Sequence, residues 1–405
     1  MANCDGLKSK VHEFLCAKNS DLGKWFKNAS KGKSFSFYTS YDVRESDHKI
    51  APVDANLFPA GYNNICQIDK DQVPDLVAEF IKGSFGDGYV GGNKIVGLLT
   101  EEHTKNKYYW DNIYTLNSFL NSAGIKSMIL FPGEMETGSE MTLESASGKQ
   151  VTIRKAMDWI NKVDLILSNN DFSKEYPELV DYAAKIHPPY NLGWHKRKKS
   201  TFFEHYNRLV TEFSKQCDID PWKFTIITED FPAFDVESDE SRKKLAAKVD
   251  EVIARSEAEY KKRNIDYKPY VVIKNNAGTY GLGVVTAKSG EDVINWSYKA
   301  RKKMKAAKGG GGITDVIVQE GIPSIIKTEQ GETAEPVVYM IGSQLAGGFL
   351  RVHGEKGPED NLNSPGSVYK KLCLSDLKVD HSKVPMENVY GWICRVAALA
   401  VANEM

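Results

Sequence analysis

The sequence predicts an α/β protein, with mixed or parallel sheet domains in its N-terminal part packed on a C-terminal domain built from paired strands. Three observations carry that expectation. Through the first half of the chain, short β-branched runs alternate with stretches whose apolar residues recur at helical spacing, the pattern of a partly parallel sheet. From about residue 270, strand-like runs follow one another across glycine-rich and polar turns. A length of 405 residues, 41% hydrophobic and 26% charged, suits two or three domains with substantial cores. The expected divisions are 1–135, an N-terminal α/β domain, 136–237, a second α/β segment of the same region, and 238–405.

Taken in order, residues 8–28 space their apolar positions for a helix. Phe35 to Tyr41 alternates and predicts a strand. A helix over 73–82 precedes a buried strand at 94–100, and a helix over 108–123 precedes a strand at 127–131 that ends at Pro132 and Gly133. Val163 to Leu167 and Phe224 to Thr228 read as further central strands, and a long charged helix follows over about 238–263. A basic helix at 296–307 leads into the run Gly309 to Gly312, read as a flexible turn. Tyr390 to Ala402 is strongly apolar, but it carries Arg395 and is too short to span a bilayer, so it reads as a helix that buries one face.

A net charge of -1 points neither to nucleic acid nor to an anionic membrane. The N-terminus has no apolar signal core, which predicts a cytoplasmic setting. Cys4, Cys16, Cys66, Cys217, Cys373 and Cys394 are scattered and are expected to stay reduced. His187 and His195, eight apart on a proline-rich loop without a nearby cysteine, do not make a zinc site. The basic run 196–199 beside them reads first as a solvated face and second as a loop closing over phosphate or carboxylate; 187–199 and 276–283 are the lid candidates by composition.

The most informative stretch runs from Val271 to Val285. Val271-Val272-Ile273 leads to Lys274, then to Asn276, Gly278, Thr279, Tyr280, Gly281 and Gly283, and then to Val284-Val285. Glycines let backbone N–H groups approach an anion, and a lysine supplies a point charge for phosphate. Because the loop joins strand to strand, it is neither the dinucleotide fingerprint nor the Walker loop, both of which open a helix. A plain hairpin turn is the bland alternative. Downstream, Val316 to Gln319 and Glu320 runs into a hinge at Ile322, a strand over 335–341 turns at Gly342 and returns to Arg351, and Asn361 to Gly366 forms a polar loop.

That order resembles an ATP-grasp nucleotide-binding domain. The resemblance implies that Lys274 and the glycine loop hold ATP phosphates, and that Gln319, Glu320 and Ile322 meet adenine and ribose. It also implies that Arg351 faces the reacting groups.

The N-terminal region adds polar clusters at strand ends. Asp42 and Arg44 come first, then Asp54 and Asn56, two apart on an extended segment and therefore on one face. Both are hard oxygen donors suited to Mg²⁺ or to an ammonium, although an Asx-turn explains them equally simply. Gly61, Asn63 and Asn64 follow in a dense polar loop. Thr100 to Thr104 and Ser168 to Asp171, including Asn170, end predicted strands where α/β proteins place ligand groups, or else cap helices.

The segments 51–64 and 167–173, with Lys274 and its loop, are similar to the small proteobacterial type of glutamate–cysteine ligase over nearly the whole chain. The resemblance implies ATP-dependent joining of the glutamate γ-carboxylate to the cysteine amine, the first step of glutathione synthesis. It implies small-molecule substrates, ATP and Mg²⁺ as cofactors, and no nucleic-acid or membrane partner; a homo-oligomer is left open. In one respect the chain departs from most ATP-grasp ligases, which carry Glu-x-Asn in a late strand. The layout is instead similar to circularly permuted eukaryotic glutathione synthetases, in which Glu-x-Asn comes early, and Asp54 with Asn56 takes that role as the metal set together with Asn361 and Asn363. Arg44, Asn63, Asn64, Asn170 and Arg351 are the expected substrate contacts. The alternatives are another ATP-grasp carboxylate–amine ligase, a small-molecule kinase on the same fold, and a non-catalytic nucleotide-binding module.

Overall fold

The computed structural model describes residues 7–278, 283–305, 312–372, 379–380, 385–386 and 389–405. Three larger sheets organise them, beside a two-stranded pair of Val379–Asp380 with Pro385–Met386. A five-stranded antiparallel sheet has the order Val368–Lys371, Gln344–His353, Thr333–Ile341, Tyr38–Glu45, Ile50–Asn56. A four-stranded antiparallel sheet has the order Val284–Ala287, Val271–Asn275, Val316–Glu320, Thr228–Phe231. A six-stranded sheet runs Glu140–Glu144, Gln150–Lys155, Lys126–Phe131, Ile95–Leu99, Leu165–Ser168, Ile186–His187, and is parallel apart from its first hairpin. The expected mixed α/β class with a partly parallel sheet is what the chain adopts.

The five-stranded sheet joins distant parts of the chain. The hairpin 38–56 joins the hairpin 333–353 through the pairing of Tyr38–Asp42 with Val337–Ile341, so one sheet spans the expected divisions at 135 and 237. Both of its faces are covered. Val338 and Met340 enter one core cluster, whereas Val337, Tyr339 and Ile341 enter another, as strand alternation demands. The C-terminal helix Val389–Ala402 packs on this sheet and on the helices Leu7–Ala29 and Lys199–Gln216. Every residue of it except Arg395 is buried, so it hides all sides and not one face. Each buried Leu, Ile or Val contributes about 1.5–3 kcal/mol. Arg395 escapes burial by laying its guanidinium over the rings of Trp392 and Phe26, at 4.9 and 5.1 Å.

The strand expected at 224–228 lies instead at Thr228–Phe231, on the edge of the four-stranded sheet. Phe224 and Ile226 are fully buried, but in a coil that follows the turn Pro221–Lys223; an apolar run reports burial, and burial does not require a strand. Asp239–Lys262 forms the long charged helix, capped by Ser238. The basic run does not behave as a solvated face. Arg197 is buried against Glu404, Lys198 meets Asp315, and the Lys199 ammonium is buried against Asp54. Cys16, Cys66, Cys217 and Cys394 are free thiols. Among the described residues, no helix is long and apolar enough to cross a membrane.

Candidate active site

A charged row crosses the floor where the five-stranded and four-stranded sheets meet. Asp42 and Asp54 stand opposite each other on neighbouring strands, as do Glu335 and Arg351. Arg351 Nη1 donates to Asp42 at 2.6 Å and to Glu335 at 2.8 Å. Arg44 pairs with Glu335, and its other nitrogens donate to the carbonyls of Pro358 at 2.8 Å and Asp360 at 2.7 Å. Glu355 and Glu359, the acids nearest Arg351 in sequence, are not its partners. Residues two apart on a strand share a face, which brings Asp42 and Arg44 to one floor.

The row is electrostatically uneven. Burial raises the Asp42 carboxyl, against the pull of Arg351. Burial works the same way on Asp54, but the Lys199 and Lys274 ammoniums outweigh it and hold that carboxyl below its usual range. Burial lowers Lys274 to about 8, against the pull of Asp54.

Two cavities share this floor. The narrower, of about 80 Å³, is lined by Lys274, Tyr270, Gln319, Glu320, Ile322, Arg44, Glu359, Asp360 and Asn361. Lys274 Nζ donates to the Val53 carbonyl at 2.6 Å, which ties the strand before the glycine loop to the Asp54 strand. Gln319 Nε2 donates to Thr228 Oγ1 at 2.9 Å. Glu320 is already engaged, accepting from the buried Lys49 ammonium at 2.7 and 2.8 Å and from Ile227 N–H at 3.1 Å. Asn276 binds the start of the helix Lys199–Gln216: its carbonyl accepts from Lys199 N–H at 2.7 Å and its side chain accepts from Ser200 N–H at 2.9 Å. Gly278 and Gly283 take positive φ, 149° and 63°, which glycine adopts without the steric cost of a Cβ. Thr279, Tyr280 and Gly281 lie outside the described residues.

The wider cavity, of about 710 Å³, is lined by Asn56, Phe58, Gly61, Asn63, Asn64, Glu101, Tyr109, Asn112, Asn169, Asp171, Trp194, Tyr339, Phe349 and Arg351, among others. Asp42, Asp54 and Asn363 line both cavities. Asparagines build its wall. Asn112 Oδ1 accepts from Gly61 N–H and Tyr62 N–H at 3.0 and 3.1 Å, and Asn112 Nδ2 donates to Asn169 Oδ1 at 3.1 Å. Gly61 has φ 108°, and a Cβ there would lie 2.5 Å from the Tyr339 hydroxyl, so the loop passes where only glycine fits.

Family comparison settles the class of enzyme. The model of the family described as GshA, glutamate–cysteine ligase, matches residues 12–405. The chain belongs to that family. Its structure is also similar to a crystal structure from Methylobacillus flagellatus KT, described as a candidate gamma-glutamylcysteine synthetase, with 30% identity, a TM-score of 0.85, and coverage of 100% of this chain and 97% of that one. Among curated proteins, none matches. The protein is accordingly a glutamate–cysteine ligase.

Within the ligase, Lys274, Asn361, Asn363, Gln319, Glu320, Ile322 and Arg44 gather at the narrow cleft, and Asn56, Asn63, Asn64 and Arg351 at the wide cavity, with Asp54 at their junction. Asn170 is turned away. It is 1% exposed and spends its amide on the Thr100 carbonyl, the Tyr176 hydroxyl and Phe172 N–H, while its neighbours Asn169 and Asp171 face the cavity. Asn63 and Asn64 bond each other at 3.1 Å, and Asn56 accepts from Phe58 N–H at 3.0 Å, the Asx-turn anticipated for it. Trp194, Glu335 and Lys199 were not among the expected site residues. Trp194 and Lys199 come from the loop beside the histidines, and nothing local in the sequence reports that they fold against Asp171 and Asp54.

The donor set suits a hard cation. Asp54 and Asp42 offer carboxylates, and Asn56, Asn361 and Asn363 offer amide oxygens; Mg²⁺ typically takes one or two carboxylates and completes its shell with phosphate and water. Among the described residues, no group of three or more His, Cys, Asp or Glu is placed to hold a metal ion.

Proposed function

We propose that the ligase works on the ATP-grasp plan, in the cytoplasm and on small-molecule substrates. It would bind ATP between the four-stranded sheet and the charged floor, and glutamate and cysteine in the wide cavity. The observation that carries this reading is the shared wall: Asp42, Asp54 and Asn363 face both cavities, so a phosphate in one and a carboxylate in the other would meet over the same carboxylates. The narrow cleft has too little free volume for a nucleotide as it stands. A nucleotide would enter as lining segments shift, and we assign that movement to 358–360, whose Pro358 and Asp360 carbonyls Arg44 holds at rest.

A carboxylate is a poor acyl donor at neutral pH, because its charge repels a nucleophile and it has no good leaving group. In the proposed sequence, a γ-carboxylate oxygen of glutamate attacks the γ-phosphorus of ATP, ADP leaves, and γ-glutamyl phosphate forms. The cysteine amine then attacks that acyl carbon, loses a proton and expels phosphate, leaving the amide of γ-glutamylcysteine, the first step of glutathione biosynthesis. Lys274 and the loop amides would stabilise charge on the transferring phosphoryl oxygens. Asp54 and Asn56, with Asn361 and Asn363, would hold Mg²⁺, which would supply positive charge against the phosphates. Arg351 would steer the carboxylate, while Glu101 and Asp171 favour the substrate ammonium.

The test is ADP release measured with ATP, Mg²⁺ and glutamate against cysteine, glycine, alanine and 2-aminobutyrate. Release that needs Mg²⁺, glutamate and cysteine, with a γ-linked dipeptide by mass, is the expected result. Tight ATP binding with no release for any pair would favour a kinase or a nucleotide-sensing module.

A further inference from the structure

We propose that the Trp194 indole N–H is a substrate-binding donor of this ligase, taking a carboxylate oxygen of an amino-acid substrate in the wide cavity. The proposal rests on the reading that this cavity holds the amino acids.

Trp194 is 4% exposed and lines the cavity. Its backbone N–H donates to the Asp171 carbonyl at 3.0 Å, which fixes it beside another cavity residue. The Lys199 ammonium and the Arg197 guanidinium lie over the ring at 4.8 and 5.0 Å. Both cations are locked in turn, Arg197 by Glu404 and Lys199 by Asp54, so the indole has little freedom to turn. Its Nε1 is buried and finds no acceptor among the described residues. A buried donor without a partner is costly, and such groups in a rigid frame call for an explanation.

The second unpartnered donor supplies one. Of the buried polar atoms without a partner among the described residues, only two belong to residues that line this cavity: Trp194 Nε1 and Arg351 Nε. Both are N–H donors. Both flank the same pair of acids, Trp194 through Lys199 and Asp54, and Arg351 through Asp42, which faces Asp54 across the strands. Two buried, unpaired donors on residues of one cavity wall, one of them cationic, answer to an oxygen anion and not to an ammonium. A carboxylate has the acceptor lone pairs for both, and glutamate and cysteine each carry at least one. Trp194 would hold the carboxylate without adding charge, which leaves Arg351 its two protein carboxylates.

The experiment is steady-state kinetics on Trp194→Phe, which keeps the ring and removes the donor. The expected result is a rise of about tenfold or more in KM for one amino acid, as for a lost hydrogen bond to a charged group, with KM for ATP changed less than about twofold. A rise confined to glutamate assigns the donor to glutamate, and one confined to cysteine assigns it to cysteine. Glu101→Gln serves as the control for the cavity. If Glu101→Gln raises an amino-acid KM and Trp194→Phe raises none, the indole meets only water and the proposal is overturned. If neither variant moves an amino-acid KM, the cavity is not the amino-acid site and the reading beneath the proposal falls with it. Should Trp194→Phe fail to fold, the wild-type protein labelled with ¹⁵N-tryptophan and titrated with each amino acid gives the same answer. One of its seven indole N–H resonances is expected to move downfield at saturation, and no movement of any would overturn the proposal.

Discussion

In the narrow cleft, the charged groups already have partners: Lys49 holds Glu320, Arg44 holds Glu335, and Lys274 rests on the Val53 carbonyl. In the wide cavity across the same floor, two buried donors have none among the described residues. One region is internally neutralised and nearly closed, with about 80 Å³ free; the other is open, with about 710 Å³, and keeps hydrogen-bonding capacity in reserve. The contrast matches the two ligand classes proposed. A polyanion with its cation can displace ion pairs and replace them with stronger ones, so a cleft for it may be filled by its own charges at rest without losing function. A small zwitterion brings little binding energy, so its site has to be preformed.

The largest effect should come from the best-matched pair. Lys49 and Glu320 are almost wholly buried, at 1% and 0% side-chain exposure. Lys49→Ala leaves Glu320 buried and uncompensated, and is expected to destabilise the fold by about 3–5 kcal/mol in urea unfolding. A Lys49→Met, Glu320→Leu double variant should recover much of that loss; if it does not, the pair is more than ballast. Next, Lys274→Ala should lower kcat for ADP release by about 10² to 10³ with the circular dichroism spectrum unchanged. Near-normal turnover would refute a phosphate role for this lysine and erase the distinction between the two regions.

Asp54 sits where the regions join. Asp54→Asn should raise the half-saturating Mg²⁺ concentration by about tenfold or more, equivalent to about 1.4 kcal/mol, while amino-acid KM values move less. The opposite pattern, unchanged Mg²⁺ dependence with poor amino-acid binding, would place the carboxylate in the wide cavity instead. The smallest effect is one of pH. Lys274, lowered to about 8, is cationic below that pH and neutral above it. Thus kcat/KM for ATP should fall as pH rises through about 8, because the free enzyme loses its phosphate charge. Lys274→Arg, always cationic, should lack that limb; a limb that persists belongs to another group.

Parts of this arrangement were legible in the chain. Lys274 and its glycines could be read because strand, lysine, loop and strand are contiguous, and contiguity is what sequence reports. The same holds for Asp54 and Asn56, whose spacing of two puts them on one side of a strand. Asn170's orientation was not legible, because three polar residues in a row follow the strand Leu165–Ser168, and the turn alone decides which of them look outward. The basic run 196–199 looks solvent-bound in isolation. Only packing supplies Glu404, Asp315 and Asp54, which lie between 117 and 207 residues away from their partners.

By itself, then, the chain determined its α/β class, most of its helices, the strand–glycine loop–strand order around Lys274 and the resemblance to a ligase family, because local periodicity and short motifs are set by neighbours a few residues apart. Tertiary structure alone decided that residues 38–56 and 333–353 form one sheet, that Arg351 answers to Asp42 and Glu335, and that Trp194 is held rigid at the cavity wall. The sheet pairing and the Arg351–Asp42 bond join residues about 300 apart, and the cations over Trp194, though near it in sequence, are fixed by Asp54 and Glu404 from distant segments, so these partners are selected by how the whole core packs and not by any one motif.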